Sequence, residues 1–191
     1  MINFEKMTLK AQEAVESAVE AARRSRNQEI GVEHLIAGML SIQESVAVSI
    51  LEKIGADAGS LIKDVEAIIA RKPKVEGGSS QEYFSKEARE TLDAAFREAA
   101  ALQDEYMSVE HLLIAVAELN RKGELGSLLR KYGISKESVL NVLKDVRGAQ
   151  RVTDQNPEGK YQALERYGRD LTELARAGKL DPVIGDRKSV V

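Results

Sequence analysis

The feature that most constrains the fold of this chain is an internal repeat. Val32-Glu33-His34-Leu35 returns as Val109-Glu110-His111-Leu112, 77 positions later. The same offset sets Thr8 on Ser85, Ala11 on Ala88, Val15 on Leu92, Ala18 on Ala95 and Ala22 on Ala99. Further on, Leu51-Glu52-Lys53-Ile54-Gly55 matches Leu129-Arg130-Lys131-Tyr132-Gly133, and Ser60-Leu61-Ile62 matches Ser138-Val139-Leu140, both at an offset of 78. Chance does not hold a register over about 60 residues with one single-residue shift; duplication does.

Each copy reads as four helices. Thr8 and Ser85 are N-cap candidates, because a hydroxyl can accept from the open N–H groups of a first turn. The first helix then runs to about Arg24, and its twin to about Gln103. Ala11, Ala14, Val15, Ala18 and Ala22 recur at helical spacing, as do Ala88, Leu92, Ala95, Phe96, Ala99 and Leu102. Alanine at these places allows close helix approach. The second helix is the most apolar: Val32, Leu35, Ile36, Met39 and Leu40 in one copy, Val109, Leu112, Leu113, Val116 and Ala117 in the other, which predicts a central position. Gly55 and Gly133 suit the left-handed end of the short third helix. Asp57 and Ser135 cap the fourth. Three Pro in 191 residues fit an all-α chain. The expected architecture is therefore two pseudo-symmetric four-helix repeats packed as one domain, with a linker and a short helical tail.

The boundaries follow from the punctuation. Repeat one covers 1–70, and a linker rich in Gly and Ser covers 71–82. Repeat two covers 83–147, and a polar linker with Asn156-Pro157 and Gly159 covers 148–160. A further segment covers 161–191.

Composition removes several classes of function. With 28 Lys+Arg against 31 Asp+Glu the net charge is −3, which does not suit a nucleic-acid binder. There is no Cys, so thiolate catalysis and cysteine-ligated metal are excluded. No run of about 18 apolar residues predicts a membrane span. Residues 1–6 lack the basic start and apolar run of a signal peptide, so a cytoplasmic location is expected. The G-x-x-x-x-G-K-[ST], G-x-S-x-G and H-E-x-x-H patterns do not occur, so no catalytic residue is assigned.

Two residue groups invite a sharper reading. His34 and His111 occupy equivalent positions and are read as structural, since no further ligand types accompany them to build a metal site. Around the second helix the copies diverge: Asn27 stands where Asp104 stands in repeat two. Asp104, Glu105 and Glu110 form an acidic group, whereas Arg23, Arg24 and Arg26 lie near the equivalent place in repeat one. Such a group is usually a solvated face. The alternative is that repeat two carries a polar rim for a ligand.

The duplicated unit resembles the Clp N-terminal repeat domain. Residues 161–175, Tyr-Gln-Ala-Leu-Glu-Arg-Tyr-Gly-Arg-Asp-Leu-Thr-Glu-Leu-Ala, and 178–185, Gly-Lys-Leu-Asp-Pro-Val-Ile-Gly, resemble the entry to the first ATPase module of Clp unfoldases. Residues 150–157, Gln-Arg-Val-Thr-Asp-Gln-Asn-Pro, are similar to the linker of the ClpB disaggregase branch of that family. After Gly185 the likeness stops, at Asp186-Arg187-Lys188-Ser189-Val190-Val191.

The resemblance implies a substrate-recognition domain of an ATP-dependent disaggregase chaperone, one that binds exposed apolar segments of unfolded or aggregated polypeptides. It implies Thr8, Asp104 and Glu110 as client contacts; two repeats packed side by side are further expected to leave an apolar groove near their junction, with Leu92 a candidate for its floor. Weak binding is expected, because a disordered client loses entropy when ordered. For the full-length protein it implies an AAA+ ATPase using ATP and Mg, a hexamer, and partnership with the DnaK chaperone system. For this chain it implies no ATPase activity, no cofactor and a monomer. Rival readings are an adaptor-docking N-domain of a protease-associated Clp unfoldase and a structural spacer.

Overall fold

A computed structural model describes residues 2–43, 45–75, 81–148 and 150–157. The chain divides into two compact units, Met1–Glu158 and Gly159–Val191, and the described residues all belong to the first. The helical stretch expected within 161–191 lies outside the described residues.

After a 3-10 turn at Phe4–Lys6, repeat one contains α1 (Leu9–Ser25), α2 (Val32–Ser41), α3 (Val46–Ile54) and α4 (Ala58–Ala70). Repeat two contains α5 (Lys86–Ala101), α6 (Val109–Leu119), α7 (Gly123–Lys131) and α8 (Lys136–Arg147). The all-α, two-by-four architecture is as the periodicity predicts.

The caps form where the sequence places them. Thr8 and Ser85 accept from the N–H of Ala11 and Ala88, and Asp57 and Ser135 from those of Ser60 and Ser138. Each such bond satisfies an otherwise open donor of a first turn, worth about 1 kcal/mol. Gly55 closes α3 at φ 87°, a conformation that costs glycine nothing.

α2 and α6 are central. Every residue from Val32 to Met39, and from Val109 to Ala117, is buried, charged and imidazole side chains included. α1 lies against α2 through fully buried Ala11, Ala14, Ala18 and Ala22. The approach is tight enough that a Cβ on Gly38 would sit 2.2 Å from the Ala14 carbonyl oxygen. The small residues that read as a close-packing stripe therefore are one.

The repeats also exchange short extended pairings, which the sequence pattern does not announce. β1 (Glu29–Ile30) runs parallel to β2 (Tyr83–Phe84), and Met7 pairs in parallel with Met107. These two contacts are the same contact twice. Met7 and Phe84 immediately precede α1 and α5 by their caps, while Ile30 and Met107 lie two residues before α2 and α6. Thr8 N–H donates to Met107 O, and Ser85 N–H donates to Ile30 O, each at 2.9 Å. The entry to the first helix of each repeat is thus bonded to the entry to the second helix of the other. This reciprocity is a pseudo-twofold relation, and it ties Thr8 of repeat one to Met107, the residue before Ser108 at the start of α6.

Candidate functional site

The site is a corner built where the end of α5, the start of α6 and the chain after α8 meet. Its counterpart lies where the end of α1, the start of α2 and the chain after α4 meet. Both are assembled by the same device. The residues after α1 and α5, Arg26 and Gln103, take left-handed backbone, φ 58° and 59°. That turns the chain so that the next residue, Asn27 or Asp104, faces the second helix. Its N–H donates back to Ala22 O or Ala99 O, at 2.9 and 2.8 Å.

The histidines complete the corner. Gly31 N–H donates to His34 Nδ1 and Ser108 N–H to His111 Nδ1, each at 3.0 Å. With Nδ1 accepting, the ring proton sits on Nε2, which reaches Asn27 Oδ1 at 3.2 Å and Asp104 Oδ2 at 2.9 Å. Both imidazoles are fully buried and serve as reciprocal caps of α2 and α6. Their structural reading is what the geometry shows.

The chemistry then diverges. In the first corner Asn27 accepts from His34 and donates its Nδ2 to Pro73 O at 3.0 Å. The net is neutral. In the second, Asp104 can only accept, and it takes three donors: His111 Nε2, Arg147 Nη2 at 2.7 Å and the Val152 N–H at 2.7 Å. Burial opposes ionisation of Asp104, but these donors outweigh it and hold its carboxyl below the ordinary value. Glu33 in the first corner behaves alike. Burial opposes its charge, and the Lys72 ammonium at its Oε1 outweighs that, holding the carboxyl well below the ordinary value.

Glu110 is different. Its carboxylate is fully buried and neither oxygen has a hydrogen-bond donor, the Arg147 Nη1 standing 3.7 Å from Oε1. Arg147 Nη1 is itself without an acceptor. A buried carboxylate short of donors is costly and marks a place where a further donor would be welcome.

The four residues expected at a client surface are placed as follows. Asp104 and Glu110 share Arg147 at the second corner, and Thr8 is bonded to the same turn through Met107 O; all three are buried groups, Thr8 and Glu110 being 0% exposed and the Asp104 side chain likewise. Of the acidic group, Asp104 and Glu110 are therefore enclosed and face Arg147, while Glu105 is exposed. Leu92 is 1% exposed and belongs to the core of α5, so it forms no groove floor. Phe96 on the same helix is only partly covered.

The cause of the enclosure is the segment after α8. Residues 148–160, expected as a linker, are not free over their described part: 150–157 fold back over the corner. Val152 is fully buried; its N–H meets Asp104 and its carbonyl accepts from Glu105 N–H at 2.9 Å. Gln155 O accepts from the first-turn Leu9 N–H at 2.8 Å, and Gln155 Nε2 donates to Glu5 O. Arg151 Nε donates to Gln103 O at 2.6 Å. The docked residues missed by sequence reasoning are Arg147, Val152 and Gln155. The one available signal was Val152, a lone β-branched apolar residue in a polar stretch.

The eight-helix pseudo-twofold pair is the fold of a known class of domain, as the comparisons show. The profile of the Clp repeat (R) N-terminal domain matches residues 6–132, and the chain belongs to that family. Among its relatives, "Chaperone protein ClpB 1" of Synechococcus elongatus is 42% identical over 183 residues, 96% of this chain and 21% of the relative. "Chaperone protein ClpB" of Bacillus cereus is 42% identical over 187 residues, again 96% and 21%. "Chaperone protein ClpB3, mitochondrial" of Oryza sativa is 45% identical over 175 residues, 92% and 18%. The chain thus spans about a fifth of the length of the curated relatives it matches. The solved Hsp104 N-terminal domain of Candida albicans superposes with a TM-score of 0.70 at 18% identity, over 80% of this chain and 99% of that one. The ClpV1 N-terminal domain of Escherichia coli gives 0.65 at 19%, over 81% and 91%. These last two likenesses are of fold.

Proposed function

We propose that this Clp N-terminal domain recognises unfolded or aggregated polypeptide for a ClpB-type disaggregase, and that the second corner is where a client segment docks. The observation that carries the reading is the manner in which the corner holds the chain that returns after α8 through its peptide groups. It engages a peptide N–H through Asp104, and peptide carbonyls through the N–H groups of Glu105 and Leu9. Contacts to main chain are blind to side-chain identity, and a domain that must accept many misfolded clients needs that property. The small enclosed seat of Val152 adds an apolar preference. Glu110, short of donors, has capacity for one from a client, such as a Lys or Arg head or a peptide N–H. Thr8 contributes through its cap, which fixes the start of α1 and so the direction of the Leu9 N–H.

In this proposal the chain works in the cytoplasm as the front part of a longer hexameric ATPase. ATP and Mg act in that longer protein, and DnaK delivers or receives clients. The domain's share is to gather apolar-rich, extended chain weakly enough to release it.

The test uses fluorescein-labelled β-casein, which is permanently unfolded, and folded ribonuclease A. The chain is expected to bind casein and not ribonuclease A. Glu110→Gln is expected to weaken casein binding about tenfold, the worth of one charge-assisted hydrogen bond. Equal binding of both proteins, or casein binding that Glu110→Gln leaves unchanged, contradicts the reading.

A further inference from the structure

We infer that residues 150–157 are a displaceable strap occupying the client slot of the second corner, and that an extended client segment competes with this strap for it. The inference rests on the docking role proposed above and adds the occupant and the chemistry it reveals.

The strap fills the slot as a ligand would. Its peptide groups make the bonds: Val152 N–H to Asp104, Val152 O from Glu105 N–H, Gln155 O from Leu9 N–H. Val152 is seated without exposure, and the Arg151 guanidinium caps the carbonyl of left-handed Gln103. The pattern describes the segment the slot accepts: a cationic residue followed directly by a small β-branched apolar one, whose peptide groups meet Asp104 and Glu105.

Three observations make the strap displaceable rather than part of the core. First, its hold is thin. Arg151, Thr153 and Asn156 are exposed, and Val152 and Pro157 are its only buried residues. Segments with little buried apolar area open at low free energy. Second, its counterpart in the first corner is held at both ends. There Val75 N–H donates to Arg26 O and Pro73 O accepts from Asn27, but this stretch is strung between α4 and β2. The strap follows α8, the last helix among the described residues, rather than joining two described elements. Third, the occupied corner is left unsatisfied. Glu110 keeps two buried oxygens without donors and Arg147 one nitrogen without an acceptor while the strap is docked. A client that supplies a donor to Glu110 gains what the strap does not offer.

Competition sets the strength of binding. If the slot is open in about one molecule in ten, the apparent affinity for client falls about tenfold below the intrinsic one. The strap would then keep the domain from holding weak ligands and let it accept multivalent aggregates, which present many segments at once.

The experiment uses the full chain and labelled β-casein in two measurements. Val152→Asp, which replaces the seated side chain with a charge, is expected to tighten casein binding about tenfold by freeing the slot. Hydrogen exchange of the unaltered chain is expected to show the Val152 amide losing protection when casein is added, while the equivalent Val75 amide keeps its own. Casein binding that Val152→Asp leaves unchanged or weakens, with its melting curve intact, overturns the strap but leaves the client reading standing. If that variant fails to fold, the exchange measurement decides: unchanged or increased protection at Val152 on casein binding overturns the inference. Binding of casein by neither chain overturns both readings.

Discussion

The two corners are one design with one substitution of charge. Both have a left-handed turn, a polar residue facing the second helix, a histidine that caps that helix and a cation from the C-terminal end of the fourth helix, Arg147 in its last position or Lys72 two residues beyond it. In the first corner the polar residue is Asn27, which carries both donor and acceptor. It meets His34 with its oxygen and Pro73 O with its nitrogen, so the returning chain presents a carbonyl. In the second it is Asp104, which can only accept, and the returning chain presents an N–H. A single oxygen in place of an NH2 group therefore inverts the polarity of the chain that can lie across the corner. It also requires Arg147 as counter-ion. The difference teaches that duplication supplied the scaffold, and that the departure from symmetry is where a binding function can be lodged.

The cations separate the two corners most. Arg147→Ala leaves Asp104 and Glu110 buried without their cation and is expected to cost about 3–5 kcal/mol in urea unfolding. Lys72→Ala strips Glu33 alone and leaves its partner nearer to water, so the loss should be visibly smaller, about 1–3 kcal/mol. Equal losses would mean that the charge of the second corner has no special weight.

Exchanging the polar residues sharpens the same point. Asn27→Asp sets a carboxylate oxygen against Pro73 O, and Asp104→Asn sets an amide group among three donors. Each swap should destabilise by about 1–3 kcal/mol, one partner of each contact being left unsatisfied. Asp104→Asn alone should also loosen the strap, seen as faster exchange of the Val152 amide.

Acid titration separates the two variants further. The folded-state value of Asp104 lies below its unfolded value, so its contribution is complete above about pH 4. That contribution is lost as pH falls from there through the folded value. Wild-type stability should therefore drop below about pH 4, and Asp104→Asn should flatten part of that drop. Glu33, also held below the ordinary value, supplies a second part that the Asp104 variant leaves in place. A wild type and variant with the same slope between pH 4 and 2 would contradict the ionised, donor-bound Asp104. The smallest effect belongs to the caps: Thr8→Ala and Ser85→Ala should each cost about 1 kcal/mol in thermal unfolding. Only the first is expected to weaken casein binding, because only Thr8 orders the turn that offers Leu9 N–H to the strap.

Much of this fold was legible because helices write their burial into sequence at a fixed period. Val32 to Met39 and Val109 to Ala117 read as central helices and are buried on every side. Thr8, Ser85, Asp57 and Ser135 read as caps and are caps. The pairings of β1 with β2 and of Met7 with Met107 were not legible, since a partner 54 or 100 positions away leaves no local period in two residues. The corner was half legible. Asp104 and Glu110 stood out by charge and by the failure of symmetry at Asn27, yet an acidic group gives no sign of its burial. That sign resides in a segment whose Gln, Thr, Asp, Asn and Pro carry turn chemistry, and whose one apolar residue, Val152, is the one that docks. Leu92 misled for the opposite reason: an apolar residue at helical spacing belongs to the core as readily as to a groove, and here the core takes it.

In the proposed function the second corner binds polypeptide and the first does not. An amide-resolved NMR titration with β-casein tests it most directly, because each corner has its own reporters. The account predicts shifts at Leu9, Glu105 and Val152, with none at the equivalent Lys86, Gln28 and Val75. Shifts of equal size in both corners, or shifts confined to surfaces away from either, would contradict it.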